Sequence, residues 1–193
     1  MRRCAVIGGG PTGVDGYTFS GDKIATGNMW KFGTPDVWTS IAAPHYVEPW
    51  WMDWAKETDA WIVTLSSTLG IMPPEARKHI DAIVEEDFAP DASLITTLCR
   101  LDNPVGKMKN GLCGGVIATQ LAIGFGYDEI HLFGIDGEKD GRLHYNSEYW
   151  KACQPPPEPS HKPYWESLKA AIESCGRRIR IVDHSDPGYG VFR

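Results

Sequence analysis

Short β-rich runs recur along this chain, and in its later part they alternate with stretches of helical patterning. The runs fall at 4–7, 23–26, 37–41, 60–65, 93–98, 129–133 and 178–182, and the helical stretches at 49–57, 74–85, 114–125 and 162–174. Runs of this length, rich in β-branched and apolar residues, read as buried strands, and such strands belong to parallel sheets covered by crossover helices. The alternation therefore predicts an α/β fold: a single Rossmann-like domain over residues 1–193, with a largely parallel sheet of about seven strands flanked by helices. Ligands of such sheets sit outside the carboxyl ends of the strands, so the loops that follow strands are where chemistry is expected. The run Pro155-Pro156-Pro157-Glu158-Pro159 reads as a stiff loop inside the domain, because one helix and one strand after it could not form a core of their own.

Composition narrows the class. A chain of 193 residues is long enough for one well-buried core. Its net charge of −6 argues against a broad electrostatic grip on nucleic acid, although Arg100, Lys107 and Lys109 could form a local basic patch. No apolar run approaches the length of a membrane span, and the apolar run after Met1-Arg2-Arg3 is too short for a signal-peptide core, so a cytoplasmic protein is expected. The five cysteines form no C-x-x-C pair and read as reduced packing residues.

Two glycine loops carry the functional signal. Gly8-Gly9-Gly10-Pro11-Thr12-Gly13 follows the first strand and fits G-x-G-x-x-G, whose glycines let backbone N–H groups approach a pyrophosphate. The segment after it, 14–21, has glycines near both ends and no helical stripe, and the second strand ends in Thr26-Gly27-Asn28 without the acidic residue of a dinucleotide site. NAD and FAD are therefore not expected. Cys113-Gly114-Gly115 opens the helix expected at 114–125, where unpaired N–H groups and the positive end of the helix dipole would favour an anion. The plainer reading of both loops is close packing and tight turning.

The run from Cys113 to Asp136, clearest in Ala122-Ile123-Gly124-Phe125-Gly126-Tyr127-Asp128-Glu129-Ile130-His131-Leu132-Phe133-Gly134-Ile135-Asp136, resembles the central motif of bacterial CMP-sialic-acid-dependent sialyltransferases. It is also similar to phage proteins of this size and to 6-hydroxymethylpterin diphosphokinases. The opening loop Gly8-Gly9-Gly10-Pro11-Thr12 is similar to the nucleotide-binding loop of that superfamily, and Asn28 stands where a ligand-contacting asparagine follows the second strand. The resemblance implies a nucleotide-activated donor, a nucleotide sugar, held by Gly8, Gly9, Gly10, Pro11, Thr12, Asn28, Cys113, Gly114 and Gly115. Departures stand beside it. The family carries a small polar residue followed by Ser-Gly where this chain has Cys113-Gly114-Gly115, and an asparagine is common at Gly9. Tyr145 and Tyr149 lie several residues later than the tyrosines that support the leaving phosphate.

A transferase of this kind needs a base for the acceptor hydroxyl, and histidine has a suitable pKa. The resemblance implies His161, which precedes the last helix, with His144 next. His79 and His131 read as structural. Asp136, at the carboxyl end of its strand, is the residue to orient ribose or phosphate or to hold a magnesium ion, whereas the acidic spacing after it is out of step with a calcium loop. The acceptor is a sugar or a modified nucleic-acid base. Two alternatives stay open: a magnesium-dependent diphosphokinase-like transferase, and a protein that sequesters a nucleotide without turnover. Trp50, Trp51 and Trp54 put two indoles on one helix face, which suggests core packing, a surface joining copies of the chain, or a platform for a flat ligand.

Overall fold

The computed structural model describes residues 1–40, 46, 49–84, 113–136, 162–174, 176–185 and 190–192. Seven strands form one sheet: β1 (Arg3–Ile7), β2 (Asp22–Thr26), β3 (Val37–Ser40), β4 (Trp61–Leu65), β5 (Ala82–Val84), β6 (Glu129–Phe133) and β7 (Arg180–Asp183). All neighbours pair in parallel, in the order β5-β4-β3-β2-β1-β6-β7. From β1 the chain builds outward to β5 and then returns to the other side of β1 as β6. The sheet thus changes direction between β1 and β6, the place where an open α/β sheet leaves a crevice at its carboxyl edge.

The helices are α1 (Pro49–Glu57), α2 (Ser66–Ile71), α3 (Pro74–Arg77), α4 (Gly114–Gly124) and α5 (Lys162–Ser174), with 3-10 runs η1 (Pro11–Thr18) and η2 (Gly27–Lys31) after β1 and β2. Alternation along the strands sorts side chains to two cores. Cys4, Val6, Ile24, Val63, Ile130 and Leu132 pack with α4 and α5 on one face. Ala5, Ile7, Ala25, Trp38 and Ile62 pack with Trp51 of α1 on the other. Helix α4 is buried from Gly115 to Ile123, as a helix apolar on almost every side must be, with Thr119 and Gln120 its buried polar residues. It ends in a Schellman turn: Tyr127 N–H donates to Ala122 O (3.1 Å) and Gly126 N–H to Ile123 O (3.1 Å), with Gly126 at φ +83. Among the described residues no helix is long and apolar enough to cross a membrane.

One device recurs at the amino edge of the sheet. An aspartate just before a strand donates its own N–H to a carbonyl at the start of the neighbouring strand and accepts that neighbour's N–H on its carboxylate. Asp36 does this with Lys23 (2.9 and 2.7 Å), and Asp81 with Ile62 (2.9 and 2.7 Å). Asp128 N–H likewise bonds Arg2 O (3.0 Å). Each pair fixes the register of a parallel ladder at its first rung.

The staple at Asp81 explains why one expected helix takes a different form. The helix expected over 74–85 stops at Arg77, and β5 follows it. Pairing of 82–84 with β4, begun by Asp81, satisfies backbone groups on an otherwise open sheet edge, and this outweighs the helical pattern of the segment. The strand expected at 93–98 lies outside the described residues. Trp51 is the indole of α1 that enters the core, while Trp50 stays 43 % exposed with the Lys31 ammonium 4.4 Å from its ring centre.

Candidate functional site

The carboxyl ends of β1, β2 and β6 and the start of α4 meet at the crevice between β1 and β6. The loop after β1 is tied to the end of β6 and to the loop after it. Gly8 N–H donates to Phe133 O (2.8 Å) and Gly10 N–H to Gly134 O (2.9 Å), which continues the β1–β6 contact past the last ladder pair. Thr12 N–H donates to Asp136 Oδ2 (2.8 Å) and Thr12 Oγ1 to Asp136 Oδ1 (2.6 Å), while Gly134 N–H donates to Thr12 Oγ1 (2.9 Å). Gly13 N–H closes a turn on Gly10 O (2.9 Å).

The glycines follow from this closeness. A Cβ on Gly8 would lie 2.6 Å from Gly134 O, and one on Gly10 2.8 Å from the same atom. Gly134 sits at φ +67 against the backbone of Gly8, where an L side chain has neither the torsion nor the room. Sequence reasoning sent the N–H groups of this loop toward a phosphate. In the structure those of Gly8, Gly10, Thr12 and Gly13 have partners inside the protein, and Gly9 is left with an amide unmatched among the described residues.

Donors remain at α4. Cys113 is its N-cap and makes no side-chain cap bond, and Gly114 and Gly115 occupy the first helical positions, whose N–H groups have no acceptor within the helix. Both glycines are also forced by packing: a Cβ on Gly114 would lie 2.6 Å from Thr26 Oγ1, and one on Gly115 2.6 Å from Ile135 Cδ1 and 3.0 Å from Trp165 Cζ2. The two readings of this loop therefore coincide, since the absence of side chains that lets α4 settle on β2 and β6 also bares its amides. Two residues beyond Thr26, Asn28 presents a buried Oδ1 with no hydrogen-bond partner among the described residues. Gly27, at φ +60, turns the chain there, and its carbonyl is held by Trp38 Nε1–H at 2.8 Å. A buried acceptor without a donor is costly unless something supplies one.

Asp136 is 1 % exposed, and each of its carboxylate oxygens receives a bond from Thr12. Among the described residues no group of three or more His, Cys, Asp or Glu side chains is arranged to hold a metal ion. Both carboxylate oxygens of Asp136 are thus engaged by Thr12. His161, His144, Tyr145 and Tyr149 lie outside the described residues. His131, in β6, is bonded to Glu129 and to His184. Sequence reasoning missed Thr26, which lines the start of α4, and Ser185, whose Oγ accepts Ile135 N–H (2.9 Å) beside Asp136. The signal for both was present: each stands at or just past the carboxyl end of a strand. A cleft of about 260 Å³ between Thr58, Trp61, Lys78 and Asp81 opens at the amino end of β4, on the opposite edge of the sheet. The carboxyl edge, whose α4 amides and Asn28 acceptor are unmatched among the described residues, is the better candidate.

No protein-family model matches this chain, and no curated protein matches it by sequence. Solved structures do match. The sialyltransferase CstII from Campylobacter jejuni, in complex with the substrate analogue CMP-3FNeuAc, superposes with a TM-score of 0.55 at 13% identity, over 95% of this chain and 80% of that one. The monofunctional α-2,3-sialyltransferase Cst-I from the same organism gives a TM-score of 0.58 at 14% identity, over 97% and 77%. CST-II in complex with a trisaccharide acceptor and CMP gives 0.55 at 14%, over 94% and 81%. This chain shares the fold of these sialyltransferases.

Proposed function

We propose that this chain is a glycosyltransferase of the sialyltransferase-like kind, which takes a sugar from a nucleotide-activated donor and passes it to an acceptor hydroxyl. The observation that carries the reading is the buried Oδ1 of Asn28, unpartnered among the described residues, together with the open first turn of α4. A ligand with both an anionic phosphate and a hydrogen-bond donor would complete the two halves of that site. The solved neighbours that share the fold include complexes with CMP and a CMP-sugar analogue, which supports a donor of that class.

In the proposed reaction the acceptor oxygen bonds to the anomeric carbon as the bond from that carbon to the phosphate oxygen breaks. The nucleoside monophosphate leaves with the bonding pair, and the acceptor proton passes to a base. His161, just before α5, is the proposed base. Phosphate on the N–H groups of Gly114 and Gly115, with the α4 dipole behind them, would stabilise the departing charge. Asp136 acts here as a positioning group, through Thr12 and the β1 loop. One observation favours binding without turnover: the amides of Gly8, Gly10 and Thr12 are engaged internally, which leaves fewer donors for a departing phosphate.

The test is a thermal-shift screen of CMP, UDP, GDP, ATP and NAD with and without magnesium. CMP at a hundred times its Kd is expected to raise the melting temperature by about 5–10 °C. Asn28→Ala is expected to weaken CMP binding about tenfold while leaving stability unchanged or slightly raised, because the atom removed is an unsatisfied one. If no nucleotide shifts the melting curve, the donor site is wrong. If CMP binds and no sugar acceptor is ever glycosylated, the sequestering reading takes its place.

A further inference from the structure

A chain of polar contacts crosses the outer strands on the face away from α4. Arg180 donates to Glu129 Oε2 (3.0 Å), Glu129 Oε1 meets His131 Nε2 (2.9 Å), and His131 Nδ1 meets His184 Nε2 (2.7 Å). The two imidazole centroids are 5.0 Å apart with planes 11° from parallel. With the nitrogens only 2.7 Å apart, that separation requires the rings to meet edge to edge in nearly one plane. It is the geometry of a straight N–H···N bond, not of a face-to-face stack. His184 in turn lies flat on Phe133, with centroids 4.5 Å apart and planes 7° from parallel, and Phe19 covers His131 at 4.5 Å.

Position makes this cluster consequential. His184 N–H donates to Leu132 O (2.9 Å), which extends the β6–β7 contact one residue past β7. The next residue, Ser185, is fixed by Asp183 Oδ1 (3.0 Å) and holds Ile135 N–H on its Oγ (2.9 Å). Thr12 therefore grips the Gly134-Ile135-Asp136 loop from the β1 side, and Ser185 grips it from the β7 side. The imidazole of His184 is the anchor immediately before that second grip.

An N–H···N bond needs one bare nitrogen. Glu129 keeps a proton on His131 Nε2, so the imidazole pair holds at most one positive charge while its bond survives. A second proton would set N–H against N–H. We propose that His184, held by His131 and Glu129, is a pH-sensitive latch on the loop that carries Asp136, closed in neutral solution and released when the pair takes that second proton. Its consequence for ligand binding rests on the donor site proposed above. The charged groups around the pair are Glu129, Arg180, Asp183 and Arg3, whose guanidinium lies 5.7 Å from the Phe19 ring centre.

The pKa of His184 is lowered, chiefly by burial and further by His131, with Asp183 opposing. The latched form thus disfavours the charged ring. The stability it contributes is complete above the ordinary imidazole pKa of about 6.5 and is lost as the pH falls through the lower folded value.

The experiment is an NMR titration of the unliganded full chain from about pH 8 to about pH 5, following the His184 ring protons and the Ile135 amide. Both are expected to move with one midpoint, below that of free imidazole, and Ile135 amide exchange to rise about tenfold once its bond to Ser185 is released. His184→Asn should abolish the Ile135 transition. Ser185→Ala should leave the ring titrating and uncouple the amide. An Ile135 amide that stays flat across the His184 midpoint, or still titrates in His184→Asn, overturns the latch. With CMP added, affinity should fall about tenfold through the same midpoint in the natural chain and not in His184→Asn. Absence of CMP binding at every pH would count against the donor site and not the latch, which the unliganded spectra decide.

Discussion

Asp136→Ala is expected to lower the unfolding free energy by about 2–4 kcal/mol, a fall in melting temperature of roughly 4–16 °C for a domain of this size. The cost comes from the two Thr12 donors that the carboxylate satisfies in a buried setting, at 2.8 and 2.6 Å. Their loss leaves an amide and a hydroxyl without acceptors and a small cavity between the β1 and β6 loops. Asp136→Asn keeps the volume and one good acceptor, so about 1–2 kcal/mol is expected. Thr12→Val should cost about 2 kcal/mol, since it strips a donor from Asp136 and an acceptor from Gly134 N–H. Because the two residues share one network, the double variant should be less destabilised than the sum of the singles, by about 1 kcal/mol or more. Urea unfolding of the natural chain and the four variants checks this. An Asp136→Ala midpoint matching that of the natural chain would mean that the carboxylate is not what joins the loops.

This junction also marks where the sequence stops being legible. The parallel sheet could be read directly, because most of its strands are short β-rich runs that alternate with helical stretches. Helices α1, α4 and α5 could be read too, since each carries its own boundary signals: Pro49 at the start of α1, the glycines that open α4, Gly176 after α5. Strand β5 could not, because its three residues sit inside a helical pattern and gain their pairing only from the distant staple between Asp81 and Ile62. The site divides in the same way. That a site is to be sought at the carboxyl ends of the strands follows from the alternation, and the glycine loops direct attention to β1 and to the start of α4. That Thr12 and Asp136, 124 residues apart, would satisfy each other is a tertiary fact that no local pattern announces. The G-x-G-x-x-G spacing at the first loop, which pointed outward to a phosphate, is explained within the described structure by an inward contact with Gly134. Asn28 was singled out by resemblance, and the structure adds the physical reason to look there, an acceptor buried without a donor.

Asn28 is placed by the aromatic core, and this yields the last prediction. Trp38 is fully buried in β3 against Tyr46, Trp51 and Trp54, with ring centres 5.3, 5.6 and 5.7 Å away, and its Nε1–H reaches out of that cluster to Gly27 O at 2.8 Å. Trp38→Ala should cost about 3–5 kcal/mol, as large buried aromatics do when truncated to a cavity. Trp38→Phe keeps most of the apolar contact and removes the N–H, so its stability loss should be smaller, about 2 kcal/mol, while the Gly27 turn is freed to relax. The two losses should then separate by readout: Trp38→Phe remains folded and weakens CMP binding, by the route that Asn28→Ala uses. If Trp38→Phe binds CMP as the natural chain does, the indole bond is a packing detail. If it loses binding while keeping its fold, the tryptophan cluster is part of how this chain holds an otherwise unsatisfied acceptor in place, and the aromatic richness of the segment around α1 has its physical reason in the site.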